Sequence, residues 1–459
     1  MGRVGTPELT TEGSMATDTP PPASDPAAAP VSAATPPISA DLIEAQLRDL
    51  LAGLAPHPAT PPGRGRPPVL PALALWTAVI VCILKGCREQ CAVWRRLTEV
   101  GLWHFPRFAI SDQAVYHRLA RDGTAFLERL FSQISQALAA RLAPYTATDL
   151  APFATGVYAL DETTLDQVAR RLPVLRALPR GARELLPGKL SALFDVRLQQ
   201  FVRVVHQEDP AQNEKVAARD MVAALNRRAL LLADLGYFGF QWFDDLTDRG
   251  LHWISRLRAK TSFEVLHTFY ERQDVFDGLI WLGVYRADRT KYAVRLVRYR
   301  VGGVERAYVT NVTDPTVLPL AMIARLYARR WDIELAFRLI KQYLGLHLLW
   351  SSKPGVVLQQ VWAVLILAQI LQALRMEIAA RAEVDLFEVS LPLLVKYAPQ
   401  YAQVGRDVVE AFVAAGRRLG YIRPSRRVRI DVPEIPPGSI RPAPPDLIRE
   451  RTPRYANKD

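Results

Sequence analysis

The stretch "YARRWDIELAFRLIKQYLGL", residues 327–346, decides how the rest of the chain is read. At about 100° per residue, Arg330, Glu334 and Lys341 fall roughly 60°, 20° and 40° back from Tyr327. One narrow stripe thus carries a phenol, a guanidinium, a carboxylate and an ammonium. Beside it, Leu326, Ile333, Phe337, Ile340 and Leu344 form an apolar stripe sufficient to bury the helix. Taken alone, the charges suit a solvated face with an Arg330–Glu334 pair at i,i+4, worth only a few tenths of a kcal/mol. The segments around the helix give the same charges a second meaning.

Two further acids stand where strands end. "VYALDETT" (157–164) carries Asp161, and "LLLADLGYF" (230–238) carries Asp234 directly after an apolar run. Between them "KLSALFDVRLQQFVRVVHQ" (189–207) reads as two strands with a tight turn near Gln199–Gln200. "DPAQNEKVAARDMVAALNRR" (209–228) reads as a helix with Asp209 as cap and Pro210 in its first turn. The helix "FQWFDDLTDRG" and the strand "LHWISRLR" follow, so the order is β-β-β-α-β-α-β and the class is α/β with a mixed sheet. Residues 261–314 form an all-β insertion of successive strands. The helix quoted first then opens near Pro319, with Thr313, Asp314 or Thr316 to cap it. Long helices are expected over about 355–381, 386–398 and 404–416.

An Asp on a central strand and another at the end of its neighbour can lie a few ångströms apart, with a third carboxylate arriving from a packed helix. Clustered carboxylates repel unless a cation neutralises them. Oxygen-only ligation with open positions suits Mg²⁺ or Mn²⁺ rather than Zn²⁺. Two such ions about 3.5–4 Å apart serve phosphodiester displacement by activating the attacking oxygen and stabilising the leaving one. In that case Glu334 holds metal, while Arg330, Lys341 and the Tyr327 hydroxyl hold phosphates.

These residues resemble a known family. Asp161 in "LDETT", Asp234 in "ADLGYF" and the helix spelled Y-x2-R-x3-E-x6-K are similar to the DDE transposases of the insertion-sequence-four family, over about 155–380. Tyr327, Arg330, Glu334 and Lys341 match its Tyr-Arg-Glu-Lys signature at every spacing. The resemblance implies an RNase H-like catalytic core at 150–350, interrupted by the β insertion, with Asp161, Asp234 and Glu334 as catalytic metal ligands. It also implies cleavage of transposon-end DNA, strand transfer into target DNA, often through a hairpin, and a homodimer on double-stranded DNA. Trp281 and Trp331 are candidates, by location, for stacking a flipped base. A domesticated or inactive DNA-binding copy, or an RNase H-like nuclease without strand transfer, are the alternatives.

Composition agrees with a polyanionic partner. The 459 residues carry a formal net charge of +12, mostly from Arg, which suits bidentate phosphate contacts. Cys82, Cys87 and Cys91 lie in one helical run with neither a second CxxC nor paired His, which argues for packing thiols in a reducing cytoplasm rather than zinc. Two apolar stretches fall short of membrane spans. Residues 69–86 are too short, and 356–374 carry Gln359, Gln360, Gln369 and Gln372. A cytoplasmic, nucleoid-associated bacterial protein without membrane segments is expected.

Residues 1–40 are Pro/Ala/Thr-rich, as in a disordered leader, and Met15 offers an alternative start. Helical patterning from 41 to 145 suggests a DNA-binding domain. In it, "TPPGRGRPPVLP" (60–71) carries Arg64 and Arg66 in an RGRP element like the core of a minor-groove AT-hook; a Pro-stiffened linker is the favoured reading, and a phosphate-contacting linker lies between the two. "FAISDQAVYHRLAR" (108–121) has Ser111 as N-cap and Ala114, Val115 and Leu119 facing inward. Gln113, Tyr116, His117, Arg118 and Arg121 are then left for a groove. Residues 351–416 are C-terminal helices, and 417–459 a basic, Pro-rich tail expected to be disordered alone. Of the remaining acids, Glu162 should point to the opposite strand face from Asp161. Asp332 should face solvent, and Asp166 and Asp195 should sit at turns or strand edges. His206 should lie in a loop.

Overall fold

Strands β1 (Val157–Thr164), β2 (Lys189–Asp195), β3 (Gln200–Gln207), β4 (Leu230–Ala233) and β5 (His252–Arg256) are followed by β6 (Phe263–Arg272), β7 (Val275–Leu282), β8 (Val294–Val301) and β9 (Val304–Thr310). A computed structural model describes residues 69–457 apart from 88, 103–104, 166–176, 180–187, 210–213, 285–288, 345–349, 352, 429, 446 and 448. Among the described residues these strands make one mixed, mostly antiparallel sheet in the order β3-β2-β1-β4-β5-β9-β8-β7-β6. Only β1–β4 and β4–β5 are parallel. β4, spelled LLLA and wholly buried, has the unbroken apolar character that a strand covered on both faces requires.

The insertion continues this sheet. β9 pairs antiparallel with β5, so β6–β9 extend it edge to edge. Inside the extension, Asp277 of β7 and Arg295 of β8 are fully buried and joined side-on, Nε and Nη2 donating to the two carboxylate oxygens at 2.7 and 2.6 Å. Arg295 also donates to the carbonyl of Leu318 at 2.6 Å. This bond ties the insertion to the segment that enters the next helix.

Helices cover both faces. On one face α1 (Ala72–Leu84), α2 (Cys91–Arg95), α3 (Asp112–Arg121) and α4 (Ala125–Leu142) share an apolar core with helices later in the chain. On the other, α5 (Glu214–Ala223) and α6 (Phe240–Asp248) pack on β4, β5 and the insertion. α7 (Leu320–Arg329), α8 (Asp332–Arg338), α9 (Pro354–Arg381), α10 (Leu391–Gln403) and α11 (Val408–Ala415) complete the chain. α10 starts five residues later than the pattern suggests, because Leu386–Glu388 forms a separate short turn and Pro392 sits in the first turn of the helix. It also runs through Pro399.

α9 is long and apolar enough to cross a membrane, but 94% of its apolar window is buried inside the protein. Its glutamines explain why. The Gln369 amide accepts from the N–H of Phe201 and donates to its carbonyl, both at 2.9 Å, satisfying the outer edge of β3. Gln359 donates to the carbonyls of Leu119 and Gly123 at the C-terminal end of α3.

The tail departs from the expected disorder. Its Arg441 N–H donates to Phe269 of β6, and its Arg451 N–H to Lys291. The Arg451 guanidinium lies 4.3 Å from the Trp281 ring centroid and 2.9 Å from Glu264. The Tyr455 hydroxyl donates to buried Asp244. The prolines remove donors, but the remaining N–H, guanidinium and phenol groups find acceptors on the insertion and α6. Trp281 is thereby covered and only 4% exposed. His206 is also not in a loop: it lies in β3, opposite Leu190.

The buried Asp277–Arg295 pair yields a stability prediction. Asp277→Ala strands a guanidinium in the core and should cost about 3–5 kcal/mol in urea denaturation, whereas Asp277→Leu with Arg295→Met should cost much less. Equal losses in the two proteins would show that lost packing, not the unpaired charge, sets the penalty.

Candidate active site at the ends of the parallel strands

Strand register brings the first two acids level. β1 and β4 run parallel with Val157 beside Leu230 and Ala159 beside Leu232. Asp161 lies two residues beyond Ala159, and Asp234 two residues beyond Leu232. Since side chains alternate with period two, both acids take the face of Ala159 and Leu232, on strands about 4.8 Å apart. That face meets the apolar cluster holding Ile333 and Phe337 of α8. β1 continues past β4 to Thr164, held by its antiparallel pairing with β2, where Asp161 lies opposite Ala192. Asp161 is thus fixed within a strand rather than at its end, while Asp234 follows the last residue of β4 and is 40% exposed.

Glu334 arrives from α8. The helix read as continuous from 327 is broken: α7 stops at Arg329, and the Arg330 N–H bonds to the Tyr327 carbonyl three residues back. α8 restarts at Asp332, and its last turn widens into a π-turn, Leu339–Tyr343, which carries half-buried Lys341. The joint rotates α8 relative to a uniform spiral, and Asp332 turns inward instead of facing solvent. It is 1% exposed and accepts from Gln199 at 2.7 Å and Arg329 at 2.6 Å. Gln199 holds the left-handed turn between β2 and β3 (φ 55°), so Asp332 locks the helix joint to that turn.

Arg330 lies at the centre of the acids. It is 4% exposed and donates to Glu334 at 2.7 Å, and its Nε stands 3.9 Å from an Asp234 oxygen. Nε and Nη1 are buried without a hydrogen-bond partner. Burial works against its charge, yet Asp234 and Glu334 outweigh that and hold its pKa above the usual range. Burial pushes the Asp161 carboxyl up to about 6; the Glu162 N–H and Arg330 oppose the rise, and Glu334 and Asp234 add to it. Asp161 therefore feels both other carboxylates and the guanidinium. The donor set is all oxygen and suits a hard cation. In this arrangement, however, no three His, Cys, Asp or Glu side chains among the described residues are drawn together closely enough to hold a metal ion.

The other expected residues divide. Tyr327 is buried and its hydroxyl donates to the Ala233 carbonyl at 3.4 Å, so it supports the end of β4 rather than standing free for a phosphate. Trp331 is 47% exposed beside it. Trp281, beneath Arg451, is not open for stacking. Arg118 does not face a groove: it pairs with Asp122 and donates to the Leu70 carbonyl, while Gln113, His117 and Arg121 of α3 are exposed. Ala114, expected inside, is exposed too, and Ser111 caps α3. Arg64, Arg66 and Asp166 lie outside the described residues. Glu162 pairs with Lys189 and Ser191, away from the acids. Asp195 accepts two N–H groups in the β2–β3 turn.

A cleft of about 480 Å³ is lined in part by Tyr327 and Trp331. Arg256, Arg306, Arg329 and Arg427 line it with Tyr308, and Asp431 is its one acid. No local motif announces it, because the arginines come from β5, β9, α7 and the tail.

Residues 181–369 match the family described as "Transposase DDE domain", a span that includes Asp234 and Glu334 but not Asp161. The chain is 27% identical over 165 residues to the transposase InsG for insertion sequence element IS4 of Escherichia coli (strain K12), covering 34% of this chain and 36% of InsG. It is 23% identical over 292 residues to the transposase for insertion sequence element IS231C of Bacillus thuringiensis subsp. berliner, covering 52% of this chain and 60% of that protein. A cryo-EM structure of the piggyBac transposase synaptic complex with hairpin DNA superposes with a TM-score of 0.39 at 7% identity, over 80% of this chain and 77% of the other, a likeness too low to argue from. Over these residues the chain is similar to DDE transposases of insertion sequences, and it spans 36% and 60% of the length of those two relatives.

The raised Asp161 carboxyl makes stability depend on pH. Its folded pKa of about 6 exceeds the ordinary 3.8, so the folded state holds the proton more tightly and loses stability as pH rises through that interval. Asp161→Asn removes the charge. Without divalent metal, its stability relative to wild type should climb between about pH 4 and pH 8, by at most about 3 kcal/mol. Thermal melts showing a pH-independent difference would contradict the burial of an ionised Asp161.

Proposed function

We propose that this protein is the transposase of an insertion sequence: it binds transposon-end DNA, hydrolyses one strand and transfers the freed 3′-hydroxyl to target DNA. The observation that carries this reading is the level register of Asp161 and Asp234 on adjacent parallel strands, with Glu334 and Arg330 packed over their ends. The strand order 3-2-1-4-5, with β2 antiparallel to its neighbours, supports an RNase H-like core extended by the β insertion. Asp161, Asp234 and Glu334 are the catalytic acids in this reading.

The same three residues would hold Mg²⁺ or Mn²⁺, as two ions. When bound, the metal supplies Lewis-acid activation of the attacking oxygen and stabilisation of the leaving one. The chain's own groups do the remaining work. The pairing of β1 with β2 fixes Asp161, and the Asp332–Gln199 lock fixes the joint from which Glu334 projects. Arg330 and Lys341 draw in the phosphates flanking the scissile bond. Tyr327 steadies the end of β4, and the arginine-lined cleft beside Trp331 guides the strand by charge, with aromatic surface for its bases. Water attacks the end phosphorus and the 3′ oxygen leaves; that oxygen then attacks a target phosphorus in the second step. A homodimer on double-stranded DNA, with the exposed face of α3 as an end contact, completes the proposal, as does a cytoplasmic, nucleoid-associated location.

An end-cleavage assay with Mg²⁺ tests the acids. Asp161→Ala, Asp234→Ala and Glu334→Ala should each abolish cleavage while DNA binding in a mobility-shift assay persists; undiminished cleavage by any of them removes that residue from the site. Lys341→Ala should weaken binding and lower the slope of log K against log salt by about 1, and an unchanged slope would refute its phosphate contact.

A further inference from the structure

Arg330 raises a problem that the proposed metal chemistry does not resolve. A guanidinium bonded to Glu334 at 2.7 Å and 3.9 Å from Asp234 puts a positive charge among the oxygens that would ligate a cation. Like charges at such distances repel. A cation brought to those carboxylates must face that guanidinium in this arrangement. The guanidinium is also incompletely satisfied. Nε and Nη1 are buried with no acceptor, a standing cost that an added anion would relieve. Asp234 and Glu334, by contrast, are 40% and 32% exposed and open to exchange of their counter-charge.

We propose that Arg330 is the resident counter-ion of the acidic site in the free protein, and that a DNA phosphate must draw its guanidinium away before divalent metal can load. This deepens the transposase reading and rests on it. A phosphate offers the two orphaned donors the acceptors they lack and relieves the repulsion that keeps a cation out. Metal binding is then conditional on DNA: the site is loaded where a phosphodiester is already present, and stays closed on the free chain. Trp331 and Tyr327, which lie 5.4 and 5.9 Å from the guanidinium carbon, leave it an aromatic surface to move along.

Mn²⁺ binding, followed by the electron paramagnetic resonance of the free aqueous ion, tests this on the full chain without reference to activity. Arg330→Gln should bind Mn²⁺ at least about tenfold more tightly than wild type, as for a one-unit electrostatic shift. Arg330→Lys, which keeps the charge, should stay weak; thermal melts confirm that both variants fold. A short random-sequence duplex, at a salt concentration where mobility shift shows it bound and with the signal of duplex alone subtracted, should tighten wild type towards the Arg330→Gln level and leave Arg330→Gln unmoved. Equal Mn²⁺ affinity of free wild type and Arg330→Gln overturns the counter-ion role. Wild type unmoved by bound duplex overturns the release by phosphate. Failure of the underlying site is distinguishable. If adding Glu334→Gln to Arg330→Gln leaves the gained affinity intact, Mn²⁺ binds elsewhere and the assignment of the acids falls. If Glu334→Gln abolishes the gain, Glu334 is among the ligands.

Discussion

One buried guanidinium set among acids is what the rest of this structure maintains. Asp161, Asp234 and Glu334 come from two strands and a helix far apart in the chain. Burial holds the Asp161 carboxyl up at about 6, and the other two acids add to the rise. The Arg330 guanidinium, buried among them, offsets it in the free chain. The surrounding architecture prevents the acids from relaxing apart. β1 outruns β4 and is stitched to β2, so Asp161 has no freedom to swing away. Asp332 anchors the α7–α8 joint to the β2–β3 turn, so Glu334 cannot drift with a fraying helix.

Elements distant from the acids serve the same end. The Asp277–Arg295 pair links the insertion to Leu318, two residues before α7 begins, and so sets where Tyr327 and Arg330 enter. Gln369 closes the outer edge of β3 and Gln359 the end of α3, which lets an otherwise apolar α9 run through the core against both the sheet and the N-terminal helices. The tail adds Arg427 to the cleft beside the site and then crosses the insertion to Trp281 and Asp244.

Much of this was legible in the sequence because the signals were local and periodic. An apolar run ending in acid is enough to find β4 and Asp234, and the Tyr327–Lys341 spacing is enough to find the helix that carries Glu334. What escaped was set by tertiary context. A uniform 100° step put Asp332 in solvent, and the two-residue joint at Arg330–Trp331 turned it inward. Arg118 looked free until Asp122 and the Leu70 carbonyl claimed it. The tail's composition indicated disorder because its partners, on β6, β7 and α6, are remote in sequence. The arginine cleft had no signature for the same reason: Arg256, Arg306, Arg329 and Arg427 become neighbours only on folding. Spacing offered the Arg330–Glu334 pair, but not the burial of Arg330 or its approach to Asp234.

The most direct measurement is anomalous diffraction at the manganese edge from crystals of the protein bound to duplex DNA and Mn²⁺. Convergence of the acids predicts anomalous density between residues 161, 234 and 334, as two peaks about 3.5–4 Å apart, with the Arg330 side chain moved onto a phosphate. Density that appears elsewhere, or a complex in which one of those three carboxylates stays out of reach of the ions, would contradict it.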